Sequence, residues 1–118
     1  MESWIGVDFD GVLAEYEEWV DVEHTGKPIR GNVDRVKQAL ARGKNVRVFT
    51  ARAFDYGDGK TERAIEVVEL WCVEHLGQVL PVTCTKDYGM VELWDDRAVC
   101  VKTNTDERIS FRTPELVK

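Results

Sequence analysis

The sequence predicts an α/β fold, a three-layer αβα sandwich around a mostly parallel central sheet. Short apolar runs alternate with helical patterns along the chain, and no repeat or low-complexity segment interrupts them. The first run, Trp4–Val7, is nearly all apolar. Such strands are typical of parallel sheets, because both of their faces are covered. The 118 residues are interpreted as one domain, residues 1–118.

The first strand, Trp4–Val7, is followed by a predicted helix over residues 33–42. Valine and leucine side chains recur there at helical spacing, and Gly43 stands where a glycine commonly ends a helix. The apolar run 46–50 predicts a second strand. Arg47 within that run indicates that one face of the sheet is less covered than the other.

The longest helix is predicted from about Thr61 to Leu76, because a wide apolar stripe repeats there and Gly77 follows. Three short strands are predicted next, over residues 79–83, 91–94 and 98–101. Pro81 cannot donate a hydrogen bond to a neighbouring strand, so its strand should lie at an edge or begin at the proline. The residues after Lys102 predict no element.

Composition and charge exclude several classes of protein. The net charge of −6 disfavours non-specific binding along a nucleic acid. No apolar run approaches the roughly 20 residues of a membrane span, and the first residues lack a basic signal region. We therefore expect no membrane partner and a cytoplasmic location. The three cysteines lack CxxC spacing, which favours buried thiols over a disulfide framework or a zinc site.

Chemically active residues follow four of the predicted strands. These residues, in chain order, are Asp8 and Asp10, Thr50, Lys86, and Asp95 with Asp96. Ligands of open α/β sheets bind at the carboxyl ends of the strands, so these side chains should converge. Clustered carboxylates repel unless a cation offsets their charge, and oxygen ligands without His or Cys favour Mg²⁺. Such a site suits a phosphoryl group.

Each residue taken alone also has an ordinary structural explanation. Asp8 to Gly11 could be a strand followed by a turn, and Thr50 could be a β-branched strand residue. Lys86 could be a solvated loop charge. Arg52 could either bind a substrate phosphate with its guanidinium or form a surface ion pair. The joint pattern at four strand ends favours the functional interpretation.

Together these motifs resemble those of the haloacid dehalogenase superfamily of phosphohydrolases. The four motifs correspond here to Asp8-Phe9-Asp10-Gly11, Thr50, Lys86 and Asp95-Asp96, in the family's order. The resemblance spans residues 4 to about 101. Val12 is a departure, because Thr often follows the glycine in that family.

The resemblance implies a Mg²⁺-dependent phosphatase that works through an aspartyl-phosphate intermediate. Asp8 would be the nucleophile, and Asp10 would act as general acid and then as general base. Thr50 and Lys86 would complete the catalytic set by holding the phosphoryl oxygens.

The metal site that the resemblance implies is made of oxygen ligands. Mg²⁺ would be held by Asp8, by the backbone carbonyl of Asp10, and by the acidic pair Asp95 and Asp96. Which residue of that pair would be the direct ligand is left open.

The short connections after the first and second motifs, residues 14–31 and 53–60, resemble those of members without a cap domain. An open site of this kind admits water and large substrates, or is covered by a second subunit of a homo-oligomer. The run Thr50-Ala51-Arg52 resembles that of nucleotide and polynucleotide-end phosphatases. The expected substrate is therefore a nucleotide or a terminal phosphate, bound by Thr50, Ala51, Arg52 and Lys86.

Other interpretations compete with this one. A receiver domain also combines aspartates, Thr, Lys and Mg²⁺, but its adjacent acidic pair comes early in the chain, whereas here Thr50 and Lys86 precede that pair. A phosphoryl-binding switch protein without turnover remains open, as does a phosphatase for small metabolites. Trp19, His24 and Tyr56 could either contact a base or sugar at the mouth of the site or pack locally.

Overall fold

The structure is a computed structural model that describes residues 2–109. Its elements, in chain order, are β1 (Trp4–Val7), α1 (Arg30–Ala41), β2 (Val46–Phe49), a 3₁₀ turn (Ala51–Ala53), α2 (Thr61–Leu76), β3 (Val82–Thr83) and β4 (Met90–Trp94). The strands form one sheet in the order β3-β2-β1-β4, and all neighbours are parallel. The predicted α/β class and parallel sheet are therefore confirmed.

Two central strands, β1 and β2, carry the main core. Their register pairs Ile5 with Val46 and Val7 with Val48, so these four side chains point to the same face of the sheet. There they share one buried apolar cluster with both helices; the helical members include Val33, Val36, Val68, Trp71 and Cys72.

The two helices also contact each other, so the described helices form one outer layer where two were expected. The order of the strands explains this arrangement. The crossovers from β1 to β2 and from β2 to β3 run in the same direction, and right-handed crossovers then place both helices on the same face. A return from β3 to β4 would place a helix on the other face. That connection, residues 84–89, can span three strand spacings, about 14 Å, but has no room for a helix.

Side chains cover the second face of the sheet near β1. Trp4 is 1% exposed there, although it is not part of the core cluster that contains the two described helices. The guanidinium of Arg47 lies 4.5 Å from the centre of its ring, and its indole Nε1 donates a hydrogen bond to Asp87 Oδ1 at 2.8 Å. This contact accounts for an arginine in a central strand, and it confirms that one face is less covered.

The strands after α2 differ from the expected ones. The strand predicted over 79–83 is reduced to Val82–Thr83, at the sheet edge and directly after Pro81. Pro81 contributes only its carbonyl, which accepts from the amide of Val48 at 2.8 Å.

The strand predicted over 98–101 is wrong. Asp95 Oδ1 accepts from the amides of Arg97 and Ala98, and this turn leads the chain away from the sheet. Val101 then forms an isolated antiparallel bridge with Arg108, within the tail for which no element was predicted. Residues 110–118 lie outside the described part.

The connection after β1 is a folded loop, tied to the core at its base. Ala14 bridges Pro28, and the carbonyl of Gly26 accepts from Trp71 Nε1 at 3.1 Å. Gly26 is required there, because an added Cβ would lie 1.9 Å from the carbonyl oxygen of Glu15.

Two expectations from composition can be compared with the structure. Cys72 is buried, and this burial raises the pKa of its thiol to about 11. Cys84 is half-buried, however, and Cys100 is exposed, so the expectation of buried thiols was wrong for Cys100. Within residues 2–109, no helix has the length and hydrophobicity needed to cross a bilayer.

Candidate active site

The carboxyl ends of β1 and β4 meet where the order of the sheet reverses, which is where open α/β sheets bind ligands. The amide of Asp8 donates to the carbonyl of Trp94 at 2.9 Å and holds these two strand ends together. Asp8, Asp95 and Asp96 each offer a carboxylate oxygen there, and the three oxygens lie within 4.8 Å of one another. The structure thus brings together three of the four predicted carboxylates.

Gly11 allows this close approach. It has a φ of +90°, and a Cβ added to it would lie 2.6 Å from Asp96 Oδ2. The turn around it is closed by the carbonyl of Phe9, which accepts from the amides of Leu13 and Ala14 at 3.0 Å. The glycine of the first motif is thus needed both for the turn and for the position of the acidic pair.

Gly11→Ala is expected to destabilise the protein by about 1–2 kcal/mol through its positive φ, with a further loss from the contact with Asp96. It should also weaken the stabilisation that the predicted Mg²⁺ site is expected to give, because Asp96 must shift. Urea unfolding with and without Mg²⁺ measures both effects. Gly43→Ala is the matched control, because Gly43 has a φ of +77° and nothing within 4 Å of its added Cβ. Equal losses in the two variants would contradict the role of Gly11.

The Asp8 carboxyl has a strongly altered proton affinity. Its pKa is raised to about 7, mainly by burial; the amide of Phe9 opposes the rise, and the charges of Asp95 and Asp96, with a hydrogen bond to Asp96, contribute to it. The amide of Phe9 donates to Asp8 Oδ1 at 2.8 Å and orients the group. Such a perturbed carboxyl in a cavity is typical of a functional site.

Asp10 points away from this triad towards Arg52. Nε of Arg52 donates to Asp10 Oδ2 at 2.7 Å, and Nη2 donates to Oδ1 at 3.0 Å. The Arg52 side chain is 4% exposed and that of Asp10 is 20% exposed. The arginine is therefore not a surface ion pair: it forms a largely buried two-point pair with a predicted catalytic residue. It also lines the cavity, and its contact with a substrate phosphate stays a prediction.

The same guanidinium holds the loop after β1. Nη2 donates to the carbonyl of His24 at 2.9 Å, and Nη1 donates to that of Val22 at 3.3 Å. Its central carbon lies 5.2 Å from the ring of Phe9 and 5.0 Å from that of Trp19. Arg52 thus links the first motif to the loop that borders the cavity.

Thr50 is buried at the end of β2. Its amide donates to the carbonyl of Thr83 at 2.8 Å, and its Oγ1 accepts from the amide of Arg52 at 3.2 Å. It lines the same cavity as Asp8, together with Ala51. The second motif is therefore positioned as the sequence predicts.

Lys86 is exposed and is not among the described residues that line the cavity. The cationic residues that do line it are Arg52, Lys60 and Arg97. Sequence reasoning missed Lys60 and Arg97. Arg97 directly follows the acidic pair, and Lys60 directly precedes α2. The position of each residue beside a predicted feature could therefore have marked it as a candidate.

The cavity has a volume of about 910 Å³. Five carboxylates line it, the members being Asp8, Asp10, Asp58, Asp95 and Asp96. Its aromatic wall consists of Tyr16, Trp19, Phe49, Phe54 and Tyr56. Trp19 and Tyr56 thus lie at the site as one interpretation suggested, whereas His24 contributes a backbone carbonyl to Arg52 and is not part of the described lining.

The donor set fits a divalent cation. Three carboxylate oxygens within 4.8 Å match the spacing of ligands around a hard ion. The pKa of Asp8 is raised mainly by burial and in part by repulsion from Asp95 and Asp96, and a cation would relieve that repulsion. The described lining has five carboxylates and three cationic side chains, so one divalent ion would bring its formal charge to zero. The expected contribution of Asp10, its backbone carbonyl, does not involve the side chain bound by Arg52.

Comparison with known proteins gives no match: no family model, no curated protein and no solved structure is similar to the chain.

Proposed function

We propose that the protein is a Mg²⁺-dependent phosphatase of the haloacid dehalogenase type. The observation that carries the proposal is the convergence of Asp8, Asp95 and Asp96 at the end of a cavity that also contains Thr50. A half-buried carboxylate beside two others and a buried hydroxyl suits a nucleophile that must approach an anionic phosphoryl group.

In the proposed reaction, an oxygen of Asp8 forms a bond to phosphorus while the bond to the leaving oxygen breaks. Asp10 donates a proton to that oxygen and later takes one from the water that hydrolyses the aspartyl-phosphate. Asp8, Asp95 and Asp96 would hold Mg²⁺, together with the backbone carbonyl of Asp10. When bound, the ion would offset the charge of the phosphoryl oxygens. Thr50 would hold one of those oxygens.

Arg52 adds a condition to this mechanism. Both oxygens of Asp10 accept hydrogen bonds from the guanidinium, so a proton carried to the leaving oxygen would have to use one of the lone pairs that these bonds leave free. The expected substrate remains a phosphate monoester, a nucleotide or a terminal phosphate.

A second candidate function is a phosphoryl-binding switch without turnover. Two observations favour it: Asp10 is held in an ion pair, and Lys86 lies outside the described lining of the cavity. Either feature would slow turnover and leave phosphoryl binding at Asp8 intact.

Hydrolysis of p-nitrophenyl phosphate tests the proposal. We expect turnover with Mg²⁺ and none with excess EDTA or in Asp8→Asn. Asp34→Asn is the matched control, because it removes one exposed carboxylate of α1 and should keep the wild-type rate. Turnover that survives EDTA or Asp8→Asn would contradict the proposal. If no turnover occurs but Mg²⁺ with beryllofluoride stabilises the wild type and not Asp8→Asn, the switch is supported instead.

A further inference from the structure

Two chemically different sets of side chains line the cavity. One set, the carboxylate triad with Thr50 and Arg52, is what we call the polar end; the other includes Phe54 and Tyr56, from the connection between β2 and α2. The volume of about 910 Å³ lies near the top of the roughly 300–1,000 Å³ of small-molecule sites. A phosphoryl group at the polar end would leave most of this space for the rest of its substrate.

Phe54 and Tyr56 form what we call the aromatic platform. Phe54 is 52% exposed and Tyr56 is 64% exposed, so both rings are accessible. Their ring centres lie 4.7 Å apart in an edge-to-face arrangement. The hydroxyl of Tyr56 donates to the carbonyl of Ala51 at 3.2 Å, which ties the platform to the residue after Thr50. The platform thus lies next in the chain to the second motif.

The loop that carries the platform is held by its own hydrogen bonds. Asp55 Oδ1 accepts from the amide of Gly57 at 2.9 Å, and Asp58 Oδ1 accepts from the amide of Lys60 at 3.0 Å. These bonds restrict the backbone of the loop, which lowers the entropy cost of binding a group against its side chains.

We infer that the aromatic platform binds the base of a free nucleoside monophosphate whose phosphate occupies the polar end. This inference rests on the phosphatase proposed above and specifies its substrate. A base offers a π-face to aromatic rings, and because every base has such a face, stacking favours binding of all of them. A sugar phosphate or a glycerol phosphate has no group of this kind.

Charge favours a free nucleotide over the end of a nucleic acid. Five carboxylates and three cationic side chains line the described cavity, so with one divalent ion it is neutral and not basic, and the whole chain has a net charge of −6. A polynucleotide would bring further phosphates to this acidic surface, whereas proteins that follow a phosphate backbone present a basic track. A single phosphate requires only the polar end.

The test compares kcat/KM for adenosine 5′-monophosphate, for ribose 5-phosphate and for a 5′-phosphorylated oligonucleotide. We expect wild type to favour the nucleotide over ribose 5-phosphate by about 5- to 150-fold, the range of base stacking on an aromatic side chain. Tyr56→Leu and Phe54→Leu should each reduce this ratio. Tyr88→Leu is the control, because Tyr88 is 95% exposed and is not part of the described lining.

A wild-type ratio near one, or a ratio that the platform variants leave unchanged, would overturn the inference while hydrolysis itself upholds the phosphatase. A higher kcat/KM for the oligonucleotide than for the mononucleotide would also overturn it. If no ester is hydrolysed, calorimetric titration with adenosine 5′-monophosphate separates the two ideas. Binding that Tyr56→Leu weakens and Tyr88→Leu does not would support the platform without the phosphatase, and absence of binding would overturn it.

Discussion

Asp8→Asn is expected to lower phosphate ester hydrolysis by at least about a thousandfold and, at the same time, to stabilise the metal-free protein at pH 8. The first effect follows from loss of the nucleophile, because an amide cannot form the aspartyl-phosphate. The second follows from removal of a charge that is disfavoured mainly by its burial and also by repulsion from Asp95 and Asp96. A loss of activity together with a gain in stability would identify Asp8 as a residue that serves function at a cost to the stability of the fold.

The pH dependence of this stability has a defined direction. The pKa of Asp8 is about 7 in the folded protein against an ordinary value of 3.8, so the folded state binds this proton more tightly than the unfolded state. The contribution of Asp8 to stability is therefore full below about pH 4 and is lost as the pH rises to about 7. The full shift would correspond to about 4 kcal/mol, and because Asp8 is partly exposed to solvent, which screens its interactions, the expected effect is well below that figure.

Urea unfolding in EDTA at pH 5 and pH 8 measures this effect. Wild type should lose more stability than Asp8→Asn between these two values, and Asp34→Asn should behave as wild type. Added Mg²⁺ should restore wild type at pH 8 and leave Asp8→Asn unchanged. If Asp8→Asn is less stable than wild type at pH 8 in EDTA, the charge of Asp8 does not destabilise the metal-free protein, and the prediction is contradicted.

Arg52→Ala is expected to destabilise the protein by about 3–5 kcal/mol, the range for removing one partner of a buried ion pair. The loss leaves the carboxylate of Asp10 without its counter-ion and removes the donors to the carbonyls of Val22 and His24. It also opens a gap between the rings of Phe9 and Trp19.

The surface of the same protein provides a matched control. Arg63 binds Glu23 with the same two-point geometry, at 2.6 and 2.7 Å, but its side chain is 44% exposed. Urea unfolding should therefore show a far smaller loss for Arg63→Ala, because water replaces the lost contacts. The stability of Arg52→Lys should fall between those of wild type and Arg52→Ala, since lysine keeps the positive charge but cannot make the two-point contact. Equal losses at the two arginines would contradict the structural role of Arg52.

The convergence of the acidic residues could be predicted from the sequence. The carboxyl ends of parallel strands share one edge of a sheet, so residues that follow β1 and β4 had to meet there once those strands were recognised. Asp8, Asp95 and Asp96 accordingly lie together, and Thr50 lines the same cavity. The main helices and strands could be predicted too, because the apolar runs and the glycines that follow the helices are local features of the sequence.

Only the tertiary structure decided which cations reach the site and what Arg52 binds. Lys60, Lys86 and Arg97 all lie outside regular elements, where a few backbone angles decide the direction of a long side chain, and only the first and last line the cavity. The partners of Arg52 are far from it in the sequence: Asp10 lies 42 residues away and His24 lies 28 residues away. Their pairing depends on how the loop after β1 folds back.

The sequence by itself determined the α/β class, the parallel sheet and the edge at which the acidic residues meet, because hydrophobic periodicity and strand-end position are local properties of the chain. The placement of both helices on one face, the buried pair of Asp10 and Arg52 and the aromatic side of the cavity were decided by the tertiary structure. Each of these depends on contacts between residues far apart in the chain, whose geometry is set by crossover direction and by packing.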